Sequence, residues 1–187
     1  IDIRDYGSGN MGATNTFRVL GSKYGTVVMV FDILKGMAAV SLYTFLPHYL
    51  SNELDRTNFM IGLGLAAVIG HIFPVFANFK GGKGVATLFG MILTVQPVVA
   101  ISCVGVFLLV LYLTRYVSLS SILGALMLPV SVLWIWNEHE IMYRIFALLV
   151  ACLVIITHQK NIGKLLRGVE SRIPIFKNRD KKKAKRP

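Results

Sequence analysis

The stretch VATLFGMILTVQPVVAISCVGVFLLVLYLT, residues 85–114, decides the fold. It carries no charged side chain from end to end. A helix needs only about 20 apolar residues to cross the hydrocarbon core of a bilayer, so this stretch is too long for one straight span. Gln96-Pro97 interrupts it. Proline lacks the N–H that a helix interior uses, and it pushes the residue before it away from helical backbone. The stretch is therefore either one kinked helix or two helices, 84–96 and 97–114.

Charge on either side separates the two readings, because Lys and Arg concentrate on the cytoplasmic side of membrane proteins. Eleven basic residues follow His158, from Lys160 to Arg186, which places the C-terminus inside. Counting back, the apolar run 141–157 leads outward to Asn137-Glu138-His139-Glu140, and the run 117–136 leads inward to Arg115. If 85–114 is a single span, Arg18, Lys23, Lys80 and Lys83 fall outside. If it is two, they fall inside, and the outside loop 48–58 carries Glu53, Asp55 and only Arg56. Two spans satisfy the charge rule. Two further apolar runs, about 25–46 and 59–77, complete the pattern. The expectation is an all-α polytopic membrane bundle of six spans (25–46, 59–77, 84–96, 97–114, 117–136, 141–157) in one domain over 1–187, with 177–187 a basic cytoplasmic tail.

Composition agrees. Of 187 residues, 55% are apolar and 16% charged, yet the net charge is +11; mean hydropathy is +0.63. A soluble domain carries roughly 25% charged residues. The residues after His158 contribute +9, leaving only +2 on the rest of the chain. The charge is thus segregated to one face, against anionic headgroups. This excludes a water-soluble enzyme, a disordered chain and a disulfide scaffold. Cys103 and Cys152 lie inside apolar runs, where thiols are inert packing groups. Ile1 stands where a start Met would be, and the expectation is a fragment or a processed chain.

Three polar, glycine-rich or basic segments fall on the predicted cytoplasmic side. The first is YGSGNMGATNTFR, residues 6–18, where a helix over Ala13–Leu20 closed by Gly21 follows a Gly-rich turn. A helix N-terminus after such a turn attracts anions, and Arg18 can bind a phosphate in bidentate fashion. The plain alternative is a capped, flexible loop. The second is GHIFP, 70–74, followed by KGGKGVAT, 80–87. It shares glycines and a Lys before a helix with phosphate loops, but it does not match GxxxxGK[ST] and has no βαβ context. A helix over 84–96 is only about 20 Å long at 1.5 Å per residue. Either its start sits below the membrane surface, which points to a cavity facing the cytoplasm near Gly81–Gly84, or the bilayer thins there. His71 reads as a hydrogen-bonded structural histidine or as a site residue. The third is HQKN to GVES, 158–171, in which His158 and Asn161 share a helix face. Asp32 and Lys35, three apart inside a span, pair with each other or contact a substrate. No metal-ligand spacing, nucleophile elbow or Ser-His-Asp arrangement is present. Chemistry here has to rest on positioning and electrostatics.

The segments GSGNMGATNTFRVLG (7–21), GHIFPVFANFKGGKGVAT (70–87) and HQKNIGKLLRGVE (158–170) resemble, in order, the three signature motifs of the bacterial acyl-phosphate:glycerol-3-phosphate acyltransferases (PlsY). DILKG (32–36) and RYVSLSSILGA (115–125) resemble further family segments. Met11 departs from the apolar residue or Pro usual in the family. The resemblance implies seven helices in the family fold, with one ahead of the first motif that is not in this chain. It implies transfer of a fatty acyl group from acyl phosphate to the 1-hydroxyl of sn-glycerol 3-phosphate, giving lysophosphatidate and phosphate. A phosphate oxygen of the substrate would take the proton.

On this resemblance Arg18 and Lys83 supply the electrostatic catalysis. Ser8, Asn10, Gly12, Thr14, Asn15, Gly81, Gly82 and Gly84 bind substrate, as do Lys35, His71, Ser118, Ser121, His158, Asn161 and Glu170. The implied partners are acyl phosphate, glycerol 3-phosphate and membrane lipids. The expected protein is a monomer of the bacterial inner membrane, with no metal, no cofactor and no nucleic acid. A solute or phosphate transporter is the other reading, motivated by Asp32, Lys35 and the short Gly-capped helix.

Overall fold

The computed structural model describes residues 1–45 and 52–173, and all regular structure among them is helical. Eight α-helices follow in order: α1 Ala13–Leu20, α2 Ser22–Ser41, α3 Glu53–Ile72, α4 Val85–Val95, α5 Pro97–Thr114, α6 Val117–Val130, α7 Ile141–Thr157 and α8 Gln159–Leu166. The 85–114 stretch divides as the charge argument requires: α4 ends at Val95, Gln96 leaves helical geometry, and Pro97 opens α5. Proline suits that first position, where its missing N–H has no helical acceptor to lose.

The ends of two expected spans move. α3 starts at Glu53 rather than near 59, because Asn52 caps it through a 2.8 Å bond from the Asp55 N–H, and Glu53 and Asp55 face the positive end of the helix dipole. It stops at Ile72; residues 75–77 form a separate short 3-10 turn beyond Pro74. α2 begins at Ser22, just after Gly21 turns the chain with φ +86°. The expected end of the first span near 46 and the 177–187 tail lie outside the described residues.

Among the described residues four helical stretches are long and apolar enough to cross a membrane: 22–45, 53–77, 97–114 and 117–135. The last runs from α6 through a π-helical turn at Ser131–Ile135, which follows Pro129 inside α6. α7 bends by 62° into α8. α4, with 11 residues, is shorter; it spans about 16 Å, half the ~30 Å hydrocarbon core.

α4 is the centre of the bundle. Leu88, Met91 and Ile92 are buried between α2, α3 and α5. The tightest of these contacts is to α2, and two reciprocal glycines allow it. A Cβ at Gly36 of α2 would lie 2.2 Å from the Thr87 carbonyl oxygen, and a Cβ at Gly90 of α4 would lie 2.1 Å from that of Ile33. Backbone packs on backbone at both points, the device by which small residues join helices in lipid. Gly36→Ala is expected to lower the thermal midpoint by about 3–10 °C. Overpacking costs roughly 1–3 kcal/mol, and about 2–4 °C accompanies each kcal/mol at this size. Thermal unfolding in detergent measures it; an unchanged midpoint would show that the two helices separate freely.

Candidate functional site

Two short segments bring the polar motifs to one end of the bundle. The N-terminal loop is pinned by Asn15, which is 1% exposed. Its Oδ1 accepts from the Ser8 N–H at 2.8 Å, and its Nδ2 donates to the Ile3 and Tyr6 carbonyls at 3.1 and 3.0 Å. Asn10 accepts from the Gly12 N–H at 2.8 Å and reaches the Gly81 carbonyl at 3.5 Å, tying this loop to the segment before α4. At the other end of the chain, the Ile173 N–H donates to the Arg115 carbonyl at 3.0 Å, and the Arg172 guanidinium sits 4.9 Å above the Tyr116 ring. These contacts hold 167–173 against the start of α6 and deliver Glu170 to it.

A cavity of about 440 Å³ lies between these segments. Its polar end is lined by Ser8, Asn10, Gly12, Thr14, Asn15, Arg18, Asp32, His71, Lys83, Gly84, Ser118, Ser121, Asn161 and Glu170. Two helix N-termini open on it. Gly12 stands at the cap of α1 and Gly84 at that of α4, and neither helix has a side-chain cap. The free N–H groups of a first turn carry partial positive charge. Across the cavity runs a chain of hydrogen bonds. Lys83 Nζ donates to Asn161 Oδ1. Asn161 Nδ2 donates to Glu170 Oε1 at 2.7 Å, and Ser118 Oγ donates to the same oxygen at 2.8 Å. Glu170 is thus the joint between the segment before α4, α8 and α6.

The electrostatics are those of a site short of anions. Burial pushes the Lys83 amine down to about 8; Glu170 opposes the fall, while Lys164 and Arg18 add to it. His158 is pushed down to about 4, first by burial and then by Lys83, so it is neutral at neutral pH. Two carboxylates line the cavity, Asp32 and Glu170, and both are already engaged, the first by Lys35 and the second by Asn161 and Ser118.

Beyond the polar end the cavity continues as an apolar groove. Phe89 and Ile92 of α4, Phe107 of α5, Leu128 of α6 and Val150 and Val154 of α7 form its walls. Met29 of α2 and Leu108 of α5 also line it while being 37% and 55% exposed on the outside of the bundle, so the groove opens sideways between those helices.

The structure turns some of the expected site residues toward the cavity and sets others in its supports. Gly81 and Gly82 do not offer their N–H groups to the cavity: these donate to the Ile72 and His71 carbonyls at 3.1 and 3.2 Å, closing the end of α3. Asn15 has no free N–H left for a ligand, since both are spent on the loop. Lys35 is not a lining residue of the cavity; its side chain, 40% exposed, sits against Asp32 and His71. His158 is 3% exposed and holds the Val154 carbonyl through Nδ1 at 2.8 Å, buried beneath Asn161 rather than lining the cavity with it. Asp32, read only as a partner for Lys35 or a substrate, stands in the wall itself. Its position inside a span was the available signal. The groove walls had none, because a lipid-facing and a groove-facing apolar residue look alike in sequence.

Comparison with known proteins gives the chain its relatives. A sequence model of the family described as Glycerol-3-phosphate acyltransferase matches residues 1–168. A glycerol-3-phosphate acyltransferase of Chlorobium chlorochromatii (strain CaD3) is 40% identical over 205 residues, covering 95% of this chain and 88% of that protein. One from Fusobacterium nucleatum is 43% identical over 175 residues, covering 92% and 84%. The crystal structure of PlsY (YgiH), an integral membrane glycerol 3-phosphate acyltransferase, in its glycerol 3-phosphate form superposes with a TM-score of 0.81 at 38% identity, covering 93% of this chain and 83% of that one. Its lysophosphatidic acid form gives 0.76 at 37%, covering 89% and 81%. None of these relatives is a transporter. The chain is a helical membrane protein and belongs to the glycerol-3-phosphate acyltransferase family.

Proposed function

We propose that this chain transfers a fatty acyl group from acyl phosphate to the 1-hydroxyl of sn-glycerol 3-phosphate, releasing lysophosphatidate and inorganic phosphate. One observation carries the reading. Two uncapped helix N-termini, Lys83 and Arg18 converge on the polar end of a cavity whose other end is an apolar groove open to the side. Both substrates carry phosphate, and only one carries a chain. The polar end suits two phosphates, and the groove suits the chain of a donor dissolved in the bilayer, which enters between α2 and α5. Family membership supports glycerol 3-phosphate as acceptor.

In this mechanism Ser8, Asn10, Thr14 and the two helix N-termini hold phosphate oxygens, with Arg18 and Lys83 supplying charge. Asn161, Ser118 and Glu170 orient Lys83, and Ser121 lies beside them in the wall. The acceptor oxygen adds to the acyl carbonyl carbon, the bond from that carbon to the phosphate oxygen breaks, and the leaving phosphate takes the hydroxyl proton. A monomer is the proposed working form. The polar end faces the cytoplasm of the bacterial inner membrane in this reading. Arg18, Lys23, Lys80, Lys83, Arg115, Lys160 and Lys164 cluster at that end of the sequence pattern, whereas Glu53, Asp55, Glu138 and Glu140 mark the other.

Purified protein in liposomes, given palmitoyl phosphate and labelled glycerol 3-phosphate, is expected to form lysophosphatidate and phosphate one for one. Equal turnover with palmitoyl-CoA and none with palmitoyl phosphate would overturn the choice of donor.

A further inference from the structure

At the cavity wall three ionisable side chains meet, and two of them, Asp32 and His71, line it. Lys35 Nζ lies 2.5 Å from Asp32 Oδ1 and 2.5 Å from His71 Nδ1, and His71 Nδ1 lies 3.2 Å from Asp32 Oδ1. An ammonium group has three donors and no acceptor. Nδ1 must therefore turn its lone pair toward Lys35; an N–H there would point donor at donor. That leaves Nε2 as the ring nitrogen free to donate.

Nε2 rests against the backbone at Gly82. A Cβ on that residue would lie 2.1 Å from Nε2 and 2.7 Å from Cε1, so any other residue at 82 would displace the ring. Nε2 has no protein partner among the described residues. Nor is it among the sealed polar atoms, which are Thr87 Oγ1, Ser131 Oγ and Tyr143 OH. It is open to the cavity that His71 lines. An N–H of fixed tautomer thus faces the cavity one residue from Lys83, where the donor's phosphate is held and its carbonyl is a single bridging oxygen away.

Resting on the acyl-transfer reading above, we infer that His71 is a catalytic residue that donates its Nε2–H to the acyl carbonyl oxygen, and that Lys35 is the positioning residue that keeps the proton on that nitrogen. As the acceptor oxygen bonds to the carbonyl carbon, the C=O electron pair moves onto oxygen and is met by the Nε2–H. When the pair returns, the bond to phosphate breaks. The imidazole proton never leaves the ring. The ring serves as an electrophile, and a preorganised donor of this kind acts where charge develops. The charged groups around it are Asp32 and Lys35 from α2 and Lys83 from the segment before α4; Arg18 of α1 and Glu170 share the cavity.

The test binds a non-hydrolysable acyl phosphonate with a labelled carbonyl and reads its infrared stretch beside the kinetics. The stretch should fall to lower frequency on wild type and on H71Q, whose amide N–H replaces Nε2–H, but not on H71A. H71A should lose about a hundred-fold in kcat, the low end for one oxyanion donor, and H71Q should recover at least ten-fold of it. In Lys35→Met the proton can move to Nδ1, toward Asp32, and turnover falls at neutral pH. Nitrogen NMR of the labelled ring should place the N–H on Nε2 in wild type and on Nδ1 in Lys35→Met. A carbonyl stretch equal in wild type and H71A overturns the role of His71. An N–H that stays on Nε2 in Lys35→Met overturns the role of Lys35. Wild-type turnover of acyl phosphate judges the underlying reading separately: turnover with an unshifted carbonyl rejects the histidine alone, whereas absent turnover rejects both.

Discussion

Lys83→Ala is expected to lower kcat/KM by about 10²–10³, the scale for losing one preorganised electrostatic donor. The residue stands one position before the Gly84 cap of α4, so its amine adds a full charge to the partial charge of an open helix end. The loss should be accompanied by a change in pH dependence. In the free protein the amine is held down to about 8, chiefly by burial, with Lys164 and Arg18 adding to the fall and Glu170 resisting it. The charged form is present below that value and is lost above it. Wild-type kcat/KM should therefore decline as pH rises through about 8. Lys83→Arg keeps a charge at every working pH. It should turn over more slowly than wild type, because a planar fork does not reproduce the bond to Asn161 Oδ1, yet show no decline near 8. A decline that persists in Lys83→Arg would assign that titration to another group. A rate within three-fold of wild type in Lys83→Ala would remove the residue from the catalytic centre.

The elements that were legible in the sequence are those with a local cause. Gln96-Pro97 marks the break between α4 and α5 because proline acts on its own neighbour. Gly21 closes α1, where the sequence pattern places the end. The pole at which the motifs gather follows from where Lys and Arg fall. What the pattern misplaced has a non-local cause. The N–H groups of Gly81 and Gly82 look free in sequence and are consumed by the carbonyls that end α3. These glycines serve close approach, and the same is true of Gly36 and Gly90. Asn15 looks like a ligand donor in a polar motif and is spent inside its own loop. Lys35 reads as a partner for Asp32 three residues before it, and so it is, but His71, 36 residues further on, is the third member. Helical periodicity predicts the first contact and is silent on the second. Membership of a signature motif thus identifies the segment that builds a site, and only the packing distinguishes the side chain that faces the ligand from the one that holds it there.

Glu170 is where that distinction has its largest consequence. It lines the cavity, and its Oε1 accepts from both Asn161 and Ser118, while Asn161 in turn receives Lys83. Glu170→Ala removes two hydrogen bonds to a charged acceptor, each worth about 1.5–3 kcal/mol. They share one oxygen and one network, so the losses do not add, and roughly a 10²-fold fall in kcat/KM is expected, at about 1.4 kcal/mol per factor of ten. Glu170→Gln separates geometry from charge. Its amide oxygen still accepts from Asn161 and Ser118, and turnover well below pH 8 should stay within about ten-fold of wild type, the loss attending one weakened, no longer charge-assisted pair of bonds. The carboxylate, however, is what resists the downward shift of the Lys83 amine. Without it the amine gives up its proton more readily, and the alkaline decline in kcat/KM should move to lower pH than wild type's value of about 8. The sign follows from removing an anion beside a cation: the charged form loses its stabilising partner, so its pKa drops. A Glu170→Gln decline at the wild-type position, or above it, would mean that the carboxylate does not act on Lys83, and that Glu170 serves only to tie the C-terminal segment to the start of α6.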